Sequence, residues 1–410
     1  MNRGFYTILA AQFFSALADN ALLFAAIAML ASMHAQAWQT PVLQQFFVFA
    51  YIVLAPFVGP FADSLPKGRV MFISNAVKLV GCVAMLSGLH PLLAYGLVGV
   101  GAAMYSPAKY GILTEYLPHQ KLVLANGWME GLTVAAIIFG SIMGGIMVSA
   151  KFANYVFARV DLPFIETGID TPPELAIVVI LGLYFIAAMI NLRIPKVAID
   201  HKLQKRNPIF IMQDFWHSLR LLWRDPLGQV SLAVTTLFWG AGATLRLLVL
   251  SWASMSLHFS LEKATQLTAV VALGIAIGSV LAAKYVSLKR SVRVLPVGIA
   301  MGVLVIMMMF VHDWRIAIVL LMLIGAMGGY FVVPMNALLQ HRGHLLMGAG
   351  HSIAVQNFNE NLSILVLLGV YAMMIKIDMS INAIILVFGL FISLTMAYVT
   401  RKHWHDQDRT

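Results

Sequence analysis

Long uninterrupted apolar segments follow one another along nearly the whole chain of 410 residues. They lie near residues 5–32, 41–62, 70–89, 92–114, 122–149, 174–194, 228–257, 264–286, 294–311, 315–340, 348–376 and 379–400. A helix needs about 20 apolar residues to cross a bilayer. Because the segments are long and continuous rather than alternating strands of about ten residues, helices are favoured over a transmembrane barrel. The sequence predicts an all-α membrane protein with twelve transmembrane helices.

Charged residues are scarce, which excludes several other classes of protein. They make up 11% of the chain, whereas hydrophobic residues make up 60%. A soluble domain carries about 25% charged residues, so a water-soluble enzyme and a disordered chain are both excluded. The net charge of +10 comes from basic residues scattered through the loops, which indicates no nucleic-acid partner. The single cysteine, Cys82, excludes a disulfide within the chain.

The basic residues predict the orientation in the membrane. With a cytoplasmic N-terminus, twenty of the 27 Lys and Arg residues fall on the cytoplasmic side and five on the opposite side. The other two, Lys78 and Arg246, lie inside apolar segments. Cytoplasmic loops of membrane proteins are enriched in Lys and Arg. We therefore expect a multi-pass protein with both termini in the cytoplasm.

A polar, basic stretch divides the twelve segments into six and six. The predicted domains are an N-terminal six-helix bundle (1–194), a cytoplasmic linker (195–226), a C-terminal six-helix bundle (227–400) and a cytoplasmic tail (401–410). The linker contains apolar residues at helical spacing, which predict an amphipathic helix lying on the cytoplasmic leaflet. They are Met212, Phe215, Trp216, Leu219, Leu222 and Trp223.

The two halves carry similar residues at offsets of 227 and 230 positions. The matching pairs are Pro107 with Pro334 and Glu130 with Glu360, each glutamate being preceded by an asparagine, Asn126 or Asn357. Parallel halves related by an axis along the membrane normal are one repeat pattern of transporters. We therefore predict two bundles related by a pseudo-twofold axis.

Six ionisable residues lie inside the apolar segments: Asp19, Lys78, Lys109, Glu130, Arg246 and Glu360. Each costs at least about 2.5–3.5 kcal/mol to insert, so each is expected to face a partner or a cavity. Asp19 and Arg246 are also 227 positions apart, which places opposite charges at corresponding positions of the two halves. We predict that they line a central cavity and that Arg246 binds a substrate phosphate through its planar guanidinium. The alternative is a purely structural pair.

Further polar residues are assigned to the same cavity or to a gate. Asn20 neighbours Asp19, and Ser352, Gln356, Asn359, Glu360 and Ser363 form a polar stripe on the eleventh segment. For Lys109 and Glu130 we expect a gating or structural ion pair rather than substrate contact. No role is assigned to Lys78.

Several polar strings resemble a known family. The turn Gly59-Pro60-Phe61-Ala62-Asp63 with Lys67-Gly68-Arg69 resembles the loop between helices 2 and 3 of the major facilitator superfamily, although Ser64 replaces the usual Arg and one residue is inserted. Closer similarity, to the bacterial lysophospholipid transporters, lies in residues 14–23, 105–113, 237–242 and 354–357, which include Asn20, Lys109, Gln356 and Asn357.

This resemblance implies a lipid flippase that works by alternating access. Lysophosphatidylethanolamine and lysophosphatidylglycerol types would move from the periplasmic to the cytoplasmic leaflet of the bacterial inner membrane. A cytoplasmic-side acyltransferase/acyl-carrier-protein synthetase, the implied functional partner, would re-acylate them. The substrate would contact Asp19, Asn20, Arg246, Gln356, Asn357, Asn359 and Glu360. The gate would use Lys109, Glu130, Asn126, Asp63, Lys67 and Arg69.

Two alternatives stay open at this stage. One is a proton-coupled exporter of small amphipathic molecules, in which Asp19 and Glu130 would titrate. The other is a membrane-embedded acyltransferase, for which His403 and Asp408 have the spacing of a His-x-x-x-x-Asp pair in a short hydrophilic tail. No phosphate-binding loop and no metal-ligand spacing is found, so we expect neither a cofactor nor a metal.

Overall fold

The computed structural model describes residues 3–34, 39–157, 169–197, 207–259 and 261–403, and within these it is helical with no strand. The first eight α-helices are α1 (Arg3–Ser32), α2 (Gln39–Val53), α3 (Ala55–Ser64), α4 (Lys67–Leu86), α5 (Pro91–Tyr116), α6 (Leu122–Met147), α7 (Ala150–Phe157) and α8 (Pro172–Asn191). The others are α9 (Pro208–Arg224), α10 (Pro226–Ser256), α11 (Leu261–Tyr285), α12 (Leu295–Met307), α13 (Trp314–Met347), α14 (Ala349–Lys376) and α15 (Ile381–His403). Short 3₁₀ turns cover His119–Lys121, Leu288–Val294 and Met308–Phe310.

Each of the twelve predicted segments is helical. Among the residues that the structure describes, ten helices are long and apolar enough to cross a membrane, or eleven if the bent pair α2–α3 forms one span. That pair bends by 64°. Pro56 lies near the start of α3, where its ring and missing N–H break the helix that precedes it. The helix α5 is the remaining predicted span, so the total of twelve stays a prediction.

The contacts divide the chain into two compact units. The first comprises residues 1–112 and 135–206, and the second comprises 113–134 and 207–410. Residues 113–134, which belong to the predicted N-terminal bundle, pack with the C-terminal part of the chain, and the predicted domain boundaries stay a prediction. The helix α6 therefore contributes its first half to the second unit and its second half to the first.

In the first unit, α1 and α4 pack on α8. The core contains fully buried side chains such as Leu22, Cys82, Ile177 and Tyr184. Small residues allow the second half of α6 to approach α1, since a Cβ on Gly140 would lie 2.8 Å from the carbonyl oxygen of Leu17. Small residues at such contacts let the helix backbones approach closely, as is usual between helices in lipid.

In the second unit, α11 packs on α13, α12 on α15 and α10 on α14. The α11–α13 contact is close because glycines meet backbone, and a Cβ on Gly278 would overlap the carbonyl oxygen of Ala326. The first half of α6 joins this unit through Gly127, where a Cβ would lie 2.5 Å from that of Ala283 on α11. Small residues therefore bring α6, α11 and α13 together.

The amphipathic helix that the linker predicts is present as α9. Phe215 and Leu222 are buried against the protein, whereas Met212 and Trp216 are exposed. Part of the predicted apolar face thus packs on the second unit, and the rest is available to a membrane leaflet. Residues 198–206 of the linker lie outside the described residues.

Candidate functional site

In the first unit, Asp19 on α1 forms an ion pair with Lys78 on α4. The ammonium nitrogen of Lys78 lies 2.8 Å from each carboxylate oxygen of Asp19 and 3.1 Å from the hydroxyl oxygen of Ser15. The hydroxyl of Tyr184 on α8 donates to Asp19 Oδ1 over 2.7 Å. Lys78 is 1% exposed, whereas Asp19 is 23% exposed. The carboxylate is therefore the accessible end of a pair whose cation is enclosed.

The surroundings of Lys78 are shaped to hold its long side chain. A Cβ on Gly101 would lie 2.6 Å from Lys78 Cγ, so the absence of a side chain there makes room for the lysine. The ammonium also lies 5.0 Å from the ring centre of Tyr105 and 5.4 Å from that of Tyr184. Aromatic faces attract a cation, and this attraction strengthens away from water. Lys78, to which the sequence assigned no role, is thus central to this site.

Asn20 follows Asp19 but makes a local contact. Its amide donates to the carbonyl oxygen of Ala16 on the same helix over 2.8 Å, and its side chain is half-buried. The Cβ of Asn20 lies where a side chain on Gly140 would clash. Asn20 therefore packs against α6 while its side chain stays partly exposed.

In the second unit, buried polar side chains connect α6, α13 and α14. Asn336 on α13 donates to Glu130 Oε1 on α6 over 3.3 Å. Gln356 on α14 donates to Asn336 Oδ1 over 3.0 Å and to Glu360 Oε1 over 2.7 Å. The four side chains form a chain of hydrogen bonds with a carboxyl group at each end. We refer to Glu130, Asn336, Gln356 and Glu360 as the carboxamide chain.

One helical turn from the carboxamide chain, two amides pair with each other. Asn126 on α6 and Gln340 on α13 exchange two hydrogen bonds of 2.9 Å each, and both side chains are buried. Asn126 precedes Glu130 by four residues, and Asn336 precedes Gln340 by four, so each helix presents both residues on one face. The contact of α6 with α13 is therefore polar as well as close-packed.

The other predicted residues of α14 differ in their surroundings. Asn357 is buried, whereas Asn359 is half-buried and donates to the carbonyl oxygen of Val355 over 2.7 Å. Gln356 and Glu360 belong to the carboxamide chain, so the predicted polar stripe is divided between helix packing and partial exposure. Ser352 is fully buried, and a Cβ on Gly343 would clash with its hydroxyl oxygen.

The remaining predicted substrate and gating cations, Arg246 and Lys109, are more accessible. The side chain of Arg246 on α10 is exposed. Lys109 on α5 is half-buried and lies 4.4 Å from the ring centre of its neighbour Tyr110. Arg246 and Asp19 belong to different units, and so do Lys109 and Glu130. Both predicted pairings therefore stay predictions.

The turn between α3 and α4 contains the predicted residues Asp63, Lys67 and Arg69. Lys67 donates to Asp63 Oδ1 over 2.7 Å and to the carbonyl oxygen of Ala62 over 2.8 Å. Asp63 and Lys67 are buried, whereas Arg69 is exposed. Between them, a Cβ on Gly68 would lie 2.7 Å from the carbonyl oxygen of Asn191, so α4 begins in direct contact with the end of α8.

Two carboxylates outside the apolar segments anchor helix ends in the second unit. Asp225 caps the start of α10 by accepting from the N–H of Gly228 over 2.8 Å, and both its oxygens accept from Arg342. Burial raises the pKa of the Asp225 carboxyl, but these hydrogen bonds outweigh burial and hold it below the usual value. On α9, the hydrogen bond from His351 lowers the pKa of the Asp214 carboxyl, and burial opposes this only in part.

The described part of the chain offers no group of three His, Cys, Asp or Glu side chains suited to a metal ion. Of the predicted tail pair, His403 is buried at the end of α15, and Asp408 lies outside the described residues.

Comparisons with known proteins agree with this architecture. The family model described as Major Facilitator Superfamily matches residues 8–368. The proteins named lysophospholipid transporter LplT of Yersinia enterocolitica and Yersinia pestis are both 44% identical to this chain, over 93% and 94% of it and 90% of each relative.

Solved structures share the fold at much lower identity. The human organic anion transporter MFSD10 (TETRAN) has a TM-score of 0.76 at 11% identity, with 97% of this chain and 100% of that chain covered. The E. coli fucose:proton symporter FucP has a TM-score of 0.74 at 12% identity, with 97% and 98% covered. At such low identity, the likeness supports the fold and carries no information about substrate.

Proposed function

Since this chain belongs to the Major Facilitator Superfamily, within the family of its relatives named lysophospholipid transporters, we propose that it transports lysophospholipids across a membrane. The observation that carries this proposal is the 44% identity over 93% of the chain and 90% of a relative. The family is one of transporters, so the acyltransferase alternative is rejected.

The finer proposal concerns substrates, direction and location. The substrates are lysophosphatidylethanolamine and lysophosphatidylglycerol types, which move from the periplasmic to the cytoplasmic leaflet of a bacterial inner membrane. Re-acylation there requires a cytoplasmic-side acyltransferase/acyl-carrier-protein synthetase as functional partner. The excess of basic residues on one side supports cytoplasmic termini.

Recognition of the head group is assigned to Arg246 and Asp19. Arg246 is exposed, and a guanidinium forms paired hydrogen bonds with phosphate that an ammonium cannot reproduce. Asp19 is partly exposed and negatively charged, which suits the ammonium of an ethanolamine head group. Because Lys78 already contacts both oxygens of Asp19, an incoming ammonium or Arg246 shares the carboxylate with Lys78. The enclosed lysine keeps Asp19 from being left as an uncompensated charge between transport cycles.

Two asparagines of α14, the half-buried Asn359 and the buried Asn357, complete the proposed polar surface. Asn359 and Asn357 supply amide groups near Gln356 and Glu360, which suit the hydroxyl and phosphate oxygens of a lysolipid head group. Asn20 extends the surface beside Asp19.

The gate is assigned to the contact of α6 with α13. Asn126 and Glu130 are held by Gln340 and Asn336, and their separation would leave four buried polar groups to be hydrated. When the gate opens on the predicted cytoplasmic side, hydrogen bonds to water replace these hydrogen bonds. The net free-energy change of opening is therefore small. Lys109, Asp63, Lys67 and Arg69 lie towards the same predicted side and complete the gate.

Proton-coupled export of small amphipathic molecules is the second candidate. The observation that favours it is the pair of buried carboxyl groups, Glu130 and Glu360, at the ends of the carboxamide chain. Carboxyl groups within membrane helices are the usual elements of proton relays.

Transport in vesicles separates the two candidates. Purified protein is reconstituted, a fluorescent lysolipid is added to the outer leaflet, and an impermeant quencher reports the fraction that has crossed. Three probes are compared, a lysolipid, the matching two-chain phospholipid and a small amphipathic dye, each with and without a proton gradient. We expect protein-dependent movement of the lysolipid alone. Movement of the dye driven by the gradient, without movement of the lysolipid, would support the exporter instead.

A further inference from the structure

Four buried polar atoms of the first unit have no hydrogen-bond partner of normal geometry among the described residues. They are the amide nitrogen of Asn75 on α4, the hydroxyl oxygen of Tyr105 on α5, and both the nitrogen and the oxygen of the amide of Asn191, the last residue of α8. Asn75 and Asn191 are fully buried, and Tyr105 is 4% exposed. An unpaired buried polar group costs free energy, and within the hydrocarbon layer no bulk water can supply the partner. Each of the four atoms therefore needs a partner inside the protein.

The three side chains surround one hydroxyl group, that of Ser15 on α1. Ser15 donates to Asn75 Oδ1 over 2.9 Å. The hydroxyl of Tyr105 lies beside Ser15 and beside the amide of Asn191. All four side chains are buried, so they form one polar group of residues between α1, α4, α5 and α8. We refer to Ser15, Asn75, Tyr105 and Asn191 as the buried polar cluster.

The chemistry of the buried polar cluster suits a small neutral molecule. Its two amides contribute N–H donors, and the oxygens of Asn191 and Tyr105 can accept. The adjacent ammonium of Lys78 is already paired with the carboxylate of Asp19. A cation is therefore repelled by Lys78, and no uncompensated positive charge attracts an anion. A neutral molecule that both donates and accepts hydrogen bonds matches these groups.

Water is the smallest molecule with this property, and we propose that the buried polar cluster binds at least one internal water. An internal water typically makes about three hydrogen bonds to buried groups that would otherwise lack a partner. In this cluster the water accepts from the amide nitrogen of Asn75 and donates to Asn191 Oδ1. The hydroxyl of Tyr105 is its third partner.

The bound water extends the hydrogen-bond network around the ion pair of Asp19 and Lys78. Ser15 accepts from Lys78 over 3.1 Å and donates to Asn75, so it joins the ion pair to the cluster. Through the water, this network reaches Asn191 at the end of α8, on the side that the charge count predicts to be cytoplasmic. Hydrogen bonds then connect four helices in the interior of the first unit. This inference concerns water alone and does not depend on what the protein transports.

Hydroxyl-radical labelling with short X-ray pulses tests for the water directly. Bound water yields radicals in place, which oxidise adjacent side chains even where bulk solvent has no access, and mass spectrometry locates the products. In the full chain in detergent, we expect Tyr105 to be oxidised severalfold faster than Tyr95, which is 5% exposed and packs in the hydrophobic core of the same unit. Oxidation of Tyr105 at or below the rate of Tyr95 would overturn the proposal.

Substitution of Asn191 tests whether the labelling comes from this cluster. Asn191→Leu preserves the approximate size of the side chain but removes a partner of the water, so the oxidation of Tyr105 should fall to the rate of Tyr95. Asn361→Leu is the matched control, because the Asn361 amide donates to the carbonyl oxygen of Asn357 in the second unit. It should leave the oxidation of Tyr105 unchanged. Equal oxidation of Tyr105 in wild type and Asn191→Leu would overturn the site.

Thermal unfolding gives an independent result, because a hydrated and a dry cluster predict changes of opposite sign. In a dry cluster, Asn191→Leu removes an unpaired buried amide, and Tm rises. In a hydrated cluster, the same change displaces the water and leaves Asn75 and Tyr105 unpaired, and Tm falls. We expect Tm to fall, and we expect Tyr105→Phe to lower Tm less in the Asn191→Leu background than in wild type, since both variants disturb one water. A higher Tm for Asn191→Leu than for wild type would overturn the proposal.

Discussion

The ion pair between Asp19 and Lys78 gives an unequal response when either partner is neutralised. Asp19→Asn leaves the ammonium of Lys78, which is 1% exposed, without a counter-charge. Lys78→Met leaves the carboxylate of Asp19, which is 23% exposed and still accepts a hydrogen bond from Tyr184. Leaving the enclosed ammonium unpaired costs more free energy than leaving the partly exposed carboxylate unpaired. Asp19→Asn should therefore destabilise the protein more than Lys78→Met.

The loss of stability in each variant depends on how far the charge that remains is buried. Removing one partner of a buried pair costs about 3–5 kcal/mol, which applies to Asp19→Asn because water cannot reach the ammonium. For Lys78→Met the cost is about 1–3 kcal/mol, since water and Tyr184 still solvate the carboxylate. The double variant Asp19→Asn/Lys78→Met leaves no charge unpaired, and replacing a whole buried pair is often close to neutral. Its stability should therefore exceed that of either single variant.

Thermal unfolding of the purified variants in one detergent measures this order. We expect Tm to fall from wild type through the double variant and Lys78→Met to Asp19→Asn. Thr7→Ala is a suitable control, because Thr7 lies on the same helix and its hydroxyl donates to the carbonyl oxygen of Arg3 in the first turn. Equal losses in the two single variants, or a double variant as unstable as their losses combined, would refute the reasoning.

Three further predictions concern packing, the amide pair and pH. Gly278→Ala should lower stability by about 1–3 kcal/mol through overpacking. Gly369→Ala should not, because a Cβ there would meet no atom of another described segment within 4 Å. Equal Tm values for the two variants would contradict this. Asn126→Leu leaves buried Gln340 unpaired and should lower the free energy of unfolding by about 1–3 kcal/mol. The double variant Asn126→Leu/Gln340→Leu should recover most of that stability. A double variant no more stable than Asn126→Leu would argue against the pair. Because the pKa of the Asp225 carboxyl is lowered on folding, the advantage of wild type over Asp225→Asn should be full above about pH 4 and shrink as pH falls through the folded pKa. Tm measured from pH 7 to pH 3 checks this, and a constant difference would contradict it.

The helices could be predicted from the sequence because lipid imposes one strong rule. Every backbone polar group in the hydrocarbon layer must be paired within the protein, so a long apolar segment has few alternatives to a helix. The same rule picks out Asp19, Glu130 and Glu360, since a charge in such a segment needs a partner or water. The bend between α2 and α3 follows from Pro56, a local signal within the second segment.

The partners of these charges could not be predicted from periodicity. Asp19 and Lys78 are 59 residues apart, and their contact depends on how α1 and α4 pack on α8. Their opposite charges within apolar segments were a signal, but the fixed repeat offset favoured Arg246 as the counterpart of Asp19. Asn336 and Gln340 have no charge to mark them, so only the structure places them against α6.

The central proposal is that this chain moves lysophospholipids and that Arg246 binds their phosphate. The most direct test is the initial rate at which a labelled lysolipid crosses vesicles containing wild type, Arg246→Lys or Arg246→Ala, with empty vesicles as background and equal amounts of folded protein. We expect a clear wild-type rate, and a rate at least about tenfold lower in both variants, because an ammonium cannot replace the paired hydrogen bonds of the guanidinium. A wild-type rate equal to that of empty vesicles would contradict lysophospholipid transport. Wild-type rates in both variants would exclude Arg246 from substrate binding.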